Sequence, residues 1–130
     1  METAKGHLNQ AIDNHDRGQY ASANAQLRSF MEELFDRIAE HLEPARAATL
    51  PSAENRRNLL AIRQPPFLFE DLGEWGQNGK NFVNGMFKRL HGHGSHPGLS
   101  DEEDCTFRLH LVLVVARHFL RRLRALLTAI

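Results

Sequence analysis

The clearest pattern of apolar and polar positions in the chain runs from residue 20 to residue 42. Its apolar members recur at intervals of three and four residues, as one face of an α-helix requires: Ala23, Leu27, Phe30, Met31, Leu34, Phe35, Ile38 and Leu42. Charged residues fill the positions between them, with opposite charges one turn apart. The pattern predicts a long amphipathic helix that begins near Tyr20 and ends before Pro44.

The same spacing predicts helices on both sides of this one. An N-terminal helix ends near Gly18, a residue that accepts the left-handed conformation at low cost. Ser52 is a suitable N-cap for a shorter helix that ends before Pro65. Residues 45–51 are predicted to form a connector. A further apolar stripe starts near Gly79 and predicts a helix that leads into a histidine-rich loop.

The strongest start signal precedes the last helix. Ser100 followed by Glu103 has the spacing of a capping box, and nothing interrupts the helical pattern from there to about Thr128. Such a helix is about 40 Å long. Its middle carries apolar residues on further sides as well: Leu111, Val114 and Val115. We therefore expect this helix to be buried on several sides, which favours a homodimer.

Short links between helices, and the absence of an alternating strand pattern in the sequence, predict one all-α domain over residues 1–130. The expected architecture is a four- to five-helix up-and-down bundle with the last helix in the middle.

The composition is that of an ordinary globular domain, with 42% hydrophobic and 25% charged residues. The formal net charge is zero, so no global field draws the chain to nucleic acid or to an anionic membrane. The single cysteine, Cys105, excludes an intrachain disulfide and fits a reducing compartment. The N-terminus lacks a signal-peptide pattern, and the apolar segments are too short to cross a bilayer. We expect a cytoplasmic protein without a membrane partner.

Residues 88–98, between the last two predicted helices, gather the candidate chemistry. This loop holds three of the eight histidines, His91, His93 and His96. They could form a zinc site with a fourth ligand from elsewhere, because imidazole binds zinc well. The spacing is also similar to the H-x-H-x-D-H pattern of metallo-β-lactamase-type hydrolases. However, Ser95 occupies the aspartate position, and that fold is a sandwich of sheets. We predict no metal and no cofactor, and zinc stays an alternative.

A second interpretation takes Arg89 and His96, separated by six residues, as a pair. Here the sequence resembles the HEPN superfamily, and within it the C-terminal domain of abortive-infection proteins. That superfamily carries an R-x4-6-H motif between the last two long helices of an all-α bundle. Arg89 and His96 match the two defining residues, Gly92 or Gly94 matches a glycine between them, and Ser95 matches a small residue before the histidine.

The resemblance implies a metal-independent endoribonuclease that works as a homodimer in bacterial defence or toxin–antitoxin systems. It implies that Arg89 and His96 are catalytic, and we add Lys88, His93 and Ser95 as substrate-binding residues. An RNA 2′-hydroxyl that attacks its own phosphate needs a base that titrates near neutrality, as histidine does. A planar guanidinium can donate two hydrogen bonds to the phosphate. The expected partners are a second copy of the chain, an RNA, and an antitoxin or other protein.

Two further interpretations stay open. The chain could be a catalytically inactive helical module of the same fold that dimerises or binds a partner protein. The loop could also be purely structural, with histidines that bind backbone carbonyls and Arg89 paired with a carboxylate of residues 101–104. Those acidic residues argue against a nuclease, because they would repel a phosphate near His96.

Three arginines form a stripe on the last helix, one turn apart: Arg117, Arg121 and Arg124. Such a stripe is typical of a solvated face, and it could also meet carboxylates of the long second helix, at Glu32, Asp36 or Glu40.

Overall fold

A computed structural model describes residues 1–92, 94 and 96–129 of the chain. Six helices account for most of them: α1 (Glu2–Asp16), α2 (Tyr20–Leu42), α3 (Pro44–Ala47), α4 (Ala53–Ile62), α5 (Phe82–Arg89) and α6 (Asp101–Thr128), with one 3₁₀ turn at Glu70–Leu72. The described residues contain no strand, so the all-α class is confirmed.

The count of six helices exceeds the predicted four or five because α3 forms where a connector was expected. Pro44 stands at the first position of α3. An N–H group at that position has no intrahelical partner, so a proline there costs no hydrogen bond, and its fixed φ suits the helix. The residue therefore ends α2 and begins a new helical turn.

Helices α1 and α2 form an antiparallel hairpin. Residues 17–19 link them, and Gly18 takes a φ of +74°, the left-handed conformation expected of it. Near the start of α1, His7 Nδ1 lies 2.6 Å from Gln26 Oε1. Near its end, the ring of His15 lies 5.7 Å from the ring of Tyr20. The two helices therefore run alongside each other in opposite directions.

Helix α6 runs parallel to α2 and closes the core against it. At the end of α1, beside the start of α2, His15 Nε2 lies 2.8 Å from Thr106 Oγ1 of α6. Further along α2 and α6, the ring centroids of Phe35 and Phe119 are 5.4 Å apart. The largest fully buried side chains of the core come from α2, α4, α5 and its C-cap, α6 and the segment after α4: Phe35, Phe67, Phe119, Leu27, Met31, Leu34, Ile38, Leu60, Leu68, Leu90, Val83 and Val112.

The prediction that the middle of α6 is buried on several sides is wrong for the single chain. Val115 is buried, but Val114 is 68% exposed and Leu113 is 39% exposed. Helix α6 thus presents one face to the core and leaves the opposite face open, as an amphipathic surface helix does. Val114, one of the apolar residues on which the homodimer prediction rests, therefore lies exposed on the single chain.

The segment between α4 and α5 positions the start of α5. Trp75 is buried, and its Nε1 donates a hydrogen bond of 3.1 Å to Asn58 Oδ1. Asn81 then caps α5 by accepting a hydrogen bond from the backbone N–H of Asn84. Helix α5 consequently begins at Phe82 rather than near Gly79, because the asparagine supplies the cap. Among the described residues, no helix is long and apolar enough to cross a membrane.

Candidate functional site

A cleft of about 480 Å³ opens where α5 ends and α6 begins, and we call it the Arg89 cleft. Eight of the described residues line it: Lys88, Arg89, His91, Gly94, His96, Leu99, Asp104 and Arg108. The structure thus brings together three of the predicted site residues, Lys88, Arg89 and His96. The other two, His93 and Ser95, lie outside the described residues.

A buried carboxylate joins the two sides of this cleft. Asp104, in the first turn of α6, is 1% exposed, and its Oδ1 lies 2.7 Å from Arg89 Nη2. Its Oδ2 lies 3.0 Å from Nη2 of Arg108, which is also buried. The pairing of Arg89 with a carboxylate of residues 101–104 was one of the structural interpretations of the loop. We call Arg89, Asp104 and Arg108 the ion triad.

Arg108 also fixes the backbone of the loop. Its Nη1 donates a 2.6 Å hydrogen bond to Gly92 O, and its Nη2 donates a 3.2 Å hydrogen bond to Gly94 O. Gly92 has a φ of +81°, a conformation that glycine adopts without strain. The loop therefore turns at a glycine and presents two carbonyls to Nη1 and Nη2 of a buried guanidinium. Arg108 Nε is buried without a hydrogen-bond partner among the described residues.

His96 is held in a defined orientation at the mouth of the cleft. Its Nδ1 lies 2.8 Å from Pro97 O. Because a carbonyl oxygen only accepts hydrogen bonds, Nδ1 carries the hydrogen, and Nε2 of the neutral ring keeps its lone pair. The side chain is exposed. This arrangement offers Nε2 as a proton acceptor to a ligand in the cleft.

His91 is held in the opposite tautomer by a residue of α2. Arg28 Nη1 lies 2.6 Å from His91 Nδ1, and Arg28 Nε lies 2.8 Å from Glu32 Oε1. A guanidinium only donates, so Nδ1 of His91 accepts and Nε2 carries the hydrogen in the neutral ring. The cleft therefore contains one imidazole arranged to accept a proton and a second arranged to donate a hydrogen bond.

The guanidinium of Arg89 is held on a second side by an aromatic ring. Its Cζ lies 4.8 Å from the centroid of the Phe107 ring, within the range of a cation–π contact. The side chain remains 37% exposed. Asp104 and Phe107 together orient Arg89 and leave part of it accessible from the cleft.

Three residues that shape the cleft were not predicted as site residues: Arg28, Asp104 and Arg108. The i, i+4 spacing of Asp104 and Arg108 is a signal that could have paired them from sequence. No local pattern could have connected Arg28 with His91, 63 residues later. In the part of the chain that the structure describes, no group of three side chains is placed to hold a metal ion, and His93 falls outside that part.

Comparisons of this chain with protein-family models, with curated proteins and with solved structures found no significant match.

Proposed function

We propose that the chain is a metal-independent endoribonuclease on a HEPN-like bundle, and that it acts at the Arg89 cleft. The observation that carries this proposal is the lining of one cleft by Arg89, His96 and Lys88. It combines two cations with an imidazole whose Nε2 is available as a base. These are the groups that in-line attack of a 2′-hydroxyl on the adjacent phosphate requires.

The proposed reaction uses the two defining residues in separate roles. His96 Nε2 takes the proton of the 2′-hydroxyl while O2′ bonds to phosphorus. The bond between phosphorus and O5′ then breaks, which leaves a 2′,3′-cyclic phosphate on one fragment. The released 5′-oxygen takes a proton from water, and the hydroxide that remains takes the proton from His96, which restores the neutral base. Arg89 donates hydrogen bonds to the phosphate oxygens on which negative charge accumulates, and Lys88 adds positive charge at the rim.

The ion triad supports this assignment of Arg89. Asp104 is buried against two guanidinium groups, so the triad as a whole carries one net positive charge. A guanidinium has five N–H groups, and the contact of Nη2 with Asp104 leaves others for a phosphate. His93 and Ser95 remain proposed substrate contacts by their position in the loop. A role in bacterial defence, with an antitoxin as partner, belongs to the same proposal.

The test is cleavage of single-stranded RNA by the purified protein in EDTA. We expect cleavage that leaves cyclic phosphate ends and that Arg89→Ala and His96→Ala each abolish. The matched controls are Arg17→Ala and His41→Ala, which remove exposed residues of the same types away from the cleft. Cleavage that survives both cleft substitutions would come from another source and would refute the proposal.

A second candidate function is a catalytically silent module that binds a second copy or another protein. The observation that favours it is an exposed apolar stripe on α6, in which Leu113, Leu120 and Leu127 follow at two-turn intervals. Light scattering of the wild type beside Leu120→Gln tests this candidate. A dimer that the substitution dissociates, together with no RNA cleavage under any condition, favours the module.

A further inference from the structure

A further cleft lies away from the Arg89 cleft, on the C-terminal half of α6. It has a volume of about 530 Å³ and is lined by Val114, Arg117, His118, Arg121 and Arg122. All five residues come from one helix, so the cleft lies along the open face of α6. Four of the five can carry positive charge.

Arg122 forms the fixed floor of this cleft. Its Nη1 and Nη2 lie 2.6 and 2.9 Å from the two carboxylate oxygens of the buried Glu74. Its Nη2 also lies 3.1 Å from His118 Nε2, so His118 accepts there in its neutral form. Arg122 is therefore neutralised within the fold, and the charge available to a ligand comes from Arg117 and Arg121.

The arginines of this face are not neutralised by the long second helix. Its carboxylates pair elsewhere: Glu32 with Arg28, Asp36 with Arg56, and Glu40 with Arg37. Within the described part of the chain, no acidic side chain forms an ion pair with Arg117, Arg121 or Arg124. The sequence from residue 105 to residue 128 also contains no aspartate or glutamate. The C-terminal part of α6 is thus an uncompensated basic surface.

This basic surface is continuous with the Arg89 cleft. Phe107, Val114 and Arg121 follow at intervals of seven residues, so they share one face of α6 and span about 21 Å along it. Phe107 and Val114 are exposed, and the Phe107 ring contacts Arg89. A ligand can therefore pass from the Arg89 cleft over an aromatic ring to the arginines. The acidic residues 101–103 lie at the N-terminal end of α6, beside the Arg89 cleft and away from these arginines.

We propose that this face of α6 binds the phosphate backbone of single-stranded RNA whose scissile bond lies in the Arg89 cleft. Arg117 and Arg121 contact phosphates, and Phe107 stacks with a base, which is the combination that single-strand binding surfaces use. A second copy of the chain is a poorer occupant, because it would have to bury three uncompensated guanidinium groups. This inference rests on the proposed function and extends it to a substrate path.

Binding is measured on a His96→Ala background, which removes the proposed base, with a single-stranded RNA of about twelve nucleotides over a series of salt concentrations. Arg117→Gln with Arg121→Gln removes two phosphate contacts. We expect weaker binding. We also expect the negative slope of log K against log salt to become shallower by about 1.4, because two phosphate contacts are lost. The control is Lys5→Gln with Arg17→Gln, the same change of charge at two exposed positions, one in α1 and one directly after it. Equal effects of the two pairs would overturn the inference.

Cleavage assays with two substrates separate this inference from the proposed function. They use enzyme that retains His96, with and without the Arg117→Gln and Arg121→Gln substitutions. A dinucleotide fills only the Arg89 cleft, so the α6 substitutions should leave its kcat/KM unchanged and lower that of the long RNA. If the wild type and the α6 variant cleave the long RNA equally well, the inference is overturned and the proposed function stands. Altered binding without any cleavage overturns the proposed function and reduces the inference to RNA binding by α6. A wild-type dimer that the α6 substitutions dissociate identifies a second copy as the occupant and overturns the inference.

Discussion

Asp104→Ala removes a carboxylate that lies between two guanidinium groups at the start of α6. Arg108 then keeps its charge in a buried position, with only the carbonyls of Gly92 and Gly94 as partners. Arg89 loses its ion pair but is 37% exposed and can turn toward solvent. The cost of the substitution is therefore dominated by Arg108, because a buried charge without a counter-charge is strongly unfavourable.

The magnitude follows from the burial of each partner. Removal of one member of a buried ion pair costs about 3–5 kcal/mol. The Arg89 contact adds at most about 1 kcal/mol because of its exposure, and loss of a carboxylate from the first turn of a helix adds about 0.3–1 kcal/mol. We expect Asp104→Ala to lower the free energy of unfolding by roughly 5 kcal/mol, a large part of the ~5–15 kcal/mol typical of a domain.

The assay is urea unfolding followed by far-ultraviolet circular dichroism. Glu103→Ala is the control, because it removes an exposed carboxylate from the same turn and should cost less than about 1 kcal/mol. Arg108→Met combined with Asp104→Ala should recover part of the loss, since both buried charges are then absent. If Asp104→Ala costs no more than Glu103→Ala, Arg108 does not depend on Asp104 and the reasoning fails.

Two further predictions concern buried groups elsewhere. Burial acts to raise the pKa of Glu74, but hydrogen bonds from Arg122 and from the backbone N–H of Phe69 outweigh it and hold that pKa below its usual value. The stability that a depressed carboxyl pKa contributes is present above the ordinary glutamate pKa, about 4.3, and is lost as the pH falls through the folded-state pKa. Glu74→Gln should therefore lower the free energy of unfolding by roughly 3 kcal/mol at pH 7 and flatten its dependence on pH in acid. Urea titrations at a series of acidic pH values measure this dependence, and an unchanged dependence contradicts the prediction. Burial raises the pKa of the Cys105 thiol. Alkylation of Cys105 should therefore be slow in the native protein and should accelerate in urea together with global unfolding. Rapid alkylation without denaturant would show that the thiol is accessible.

The helices were predictable because their signals are local. The apolar spacing from Ala23 to Leu42 and the Ser100 cap each depend on residues a few positions apart, and α2 and α6 have the bounds that these signals predict. Burial of α6 was not predictable in the same way. Val114 is as apolar as Val115, and only the position of α1 and α2 on one side of α6 decides that one is exposed and the other buried.

The site, like the fold, was predictable where its signals are local. Lys88, Arg89 and His96 lie close in sequence, on either side of a turn that glycines permit, and they line one cleft. The partners that hold the cleft come from farther away: Arg28 reaches His91 from α2, and Arg108 reaches the loop from the second turn of α6. Such contacts depend on how helices pack, which no spacing along the chain encodes. Local patterns therefore identify reactive groups more readily than the residues that orient them.

The ion triad also changes how the acidic start of α6 affects a phosphate in the Arg89 cleft. In the sequence, residues 101–104 form a single negative run next to His96, but the fold divides them. Residues 101–103 are exposed at the N-terminus of α6, whose dipole they complement, whereas Asp104 is enclosed by Arg89 and Arg108. A guanidinium held by a carboxylate has already lost most of its rotational freedom, so binding a phosphate costs less side-chain entropy than it would for a free arginine. Asp104 therefore favours phosphate binding by Arg89 through orientation, even though its own charge opposes it.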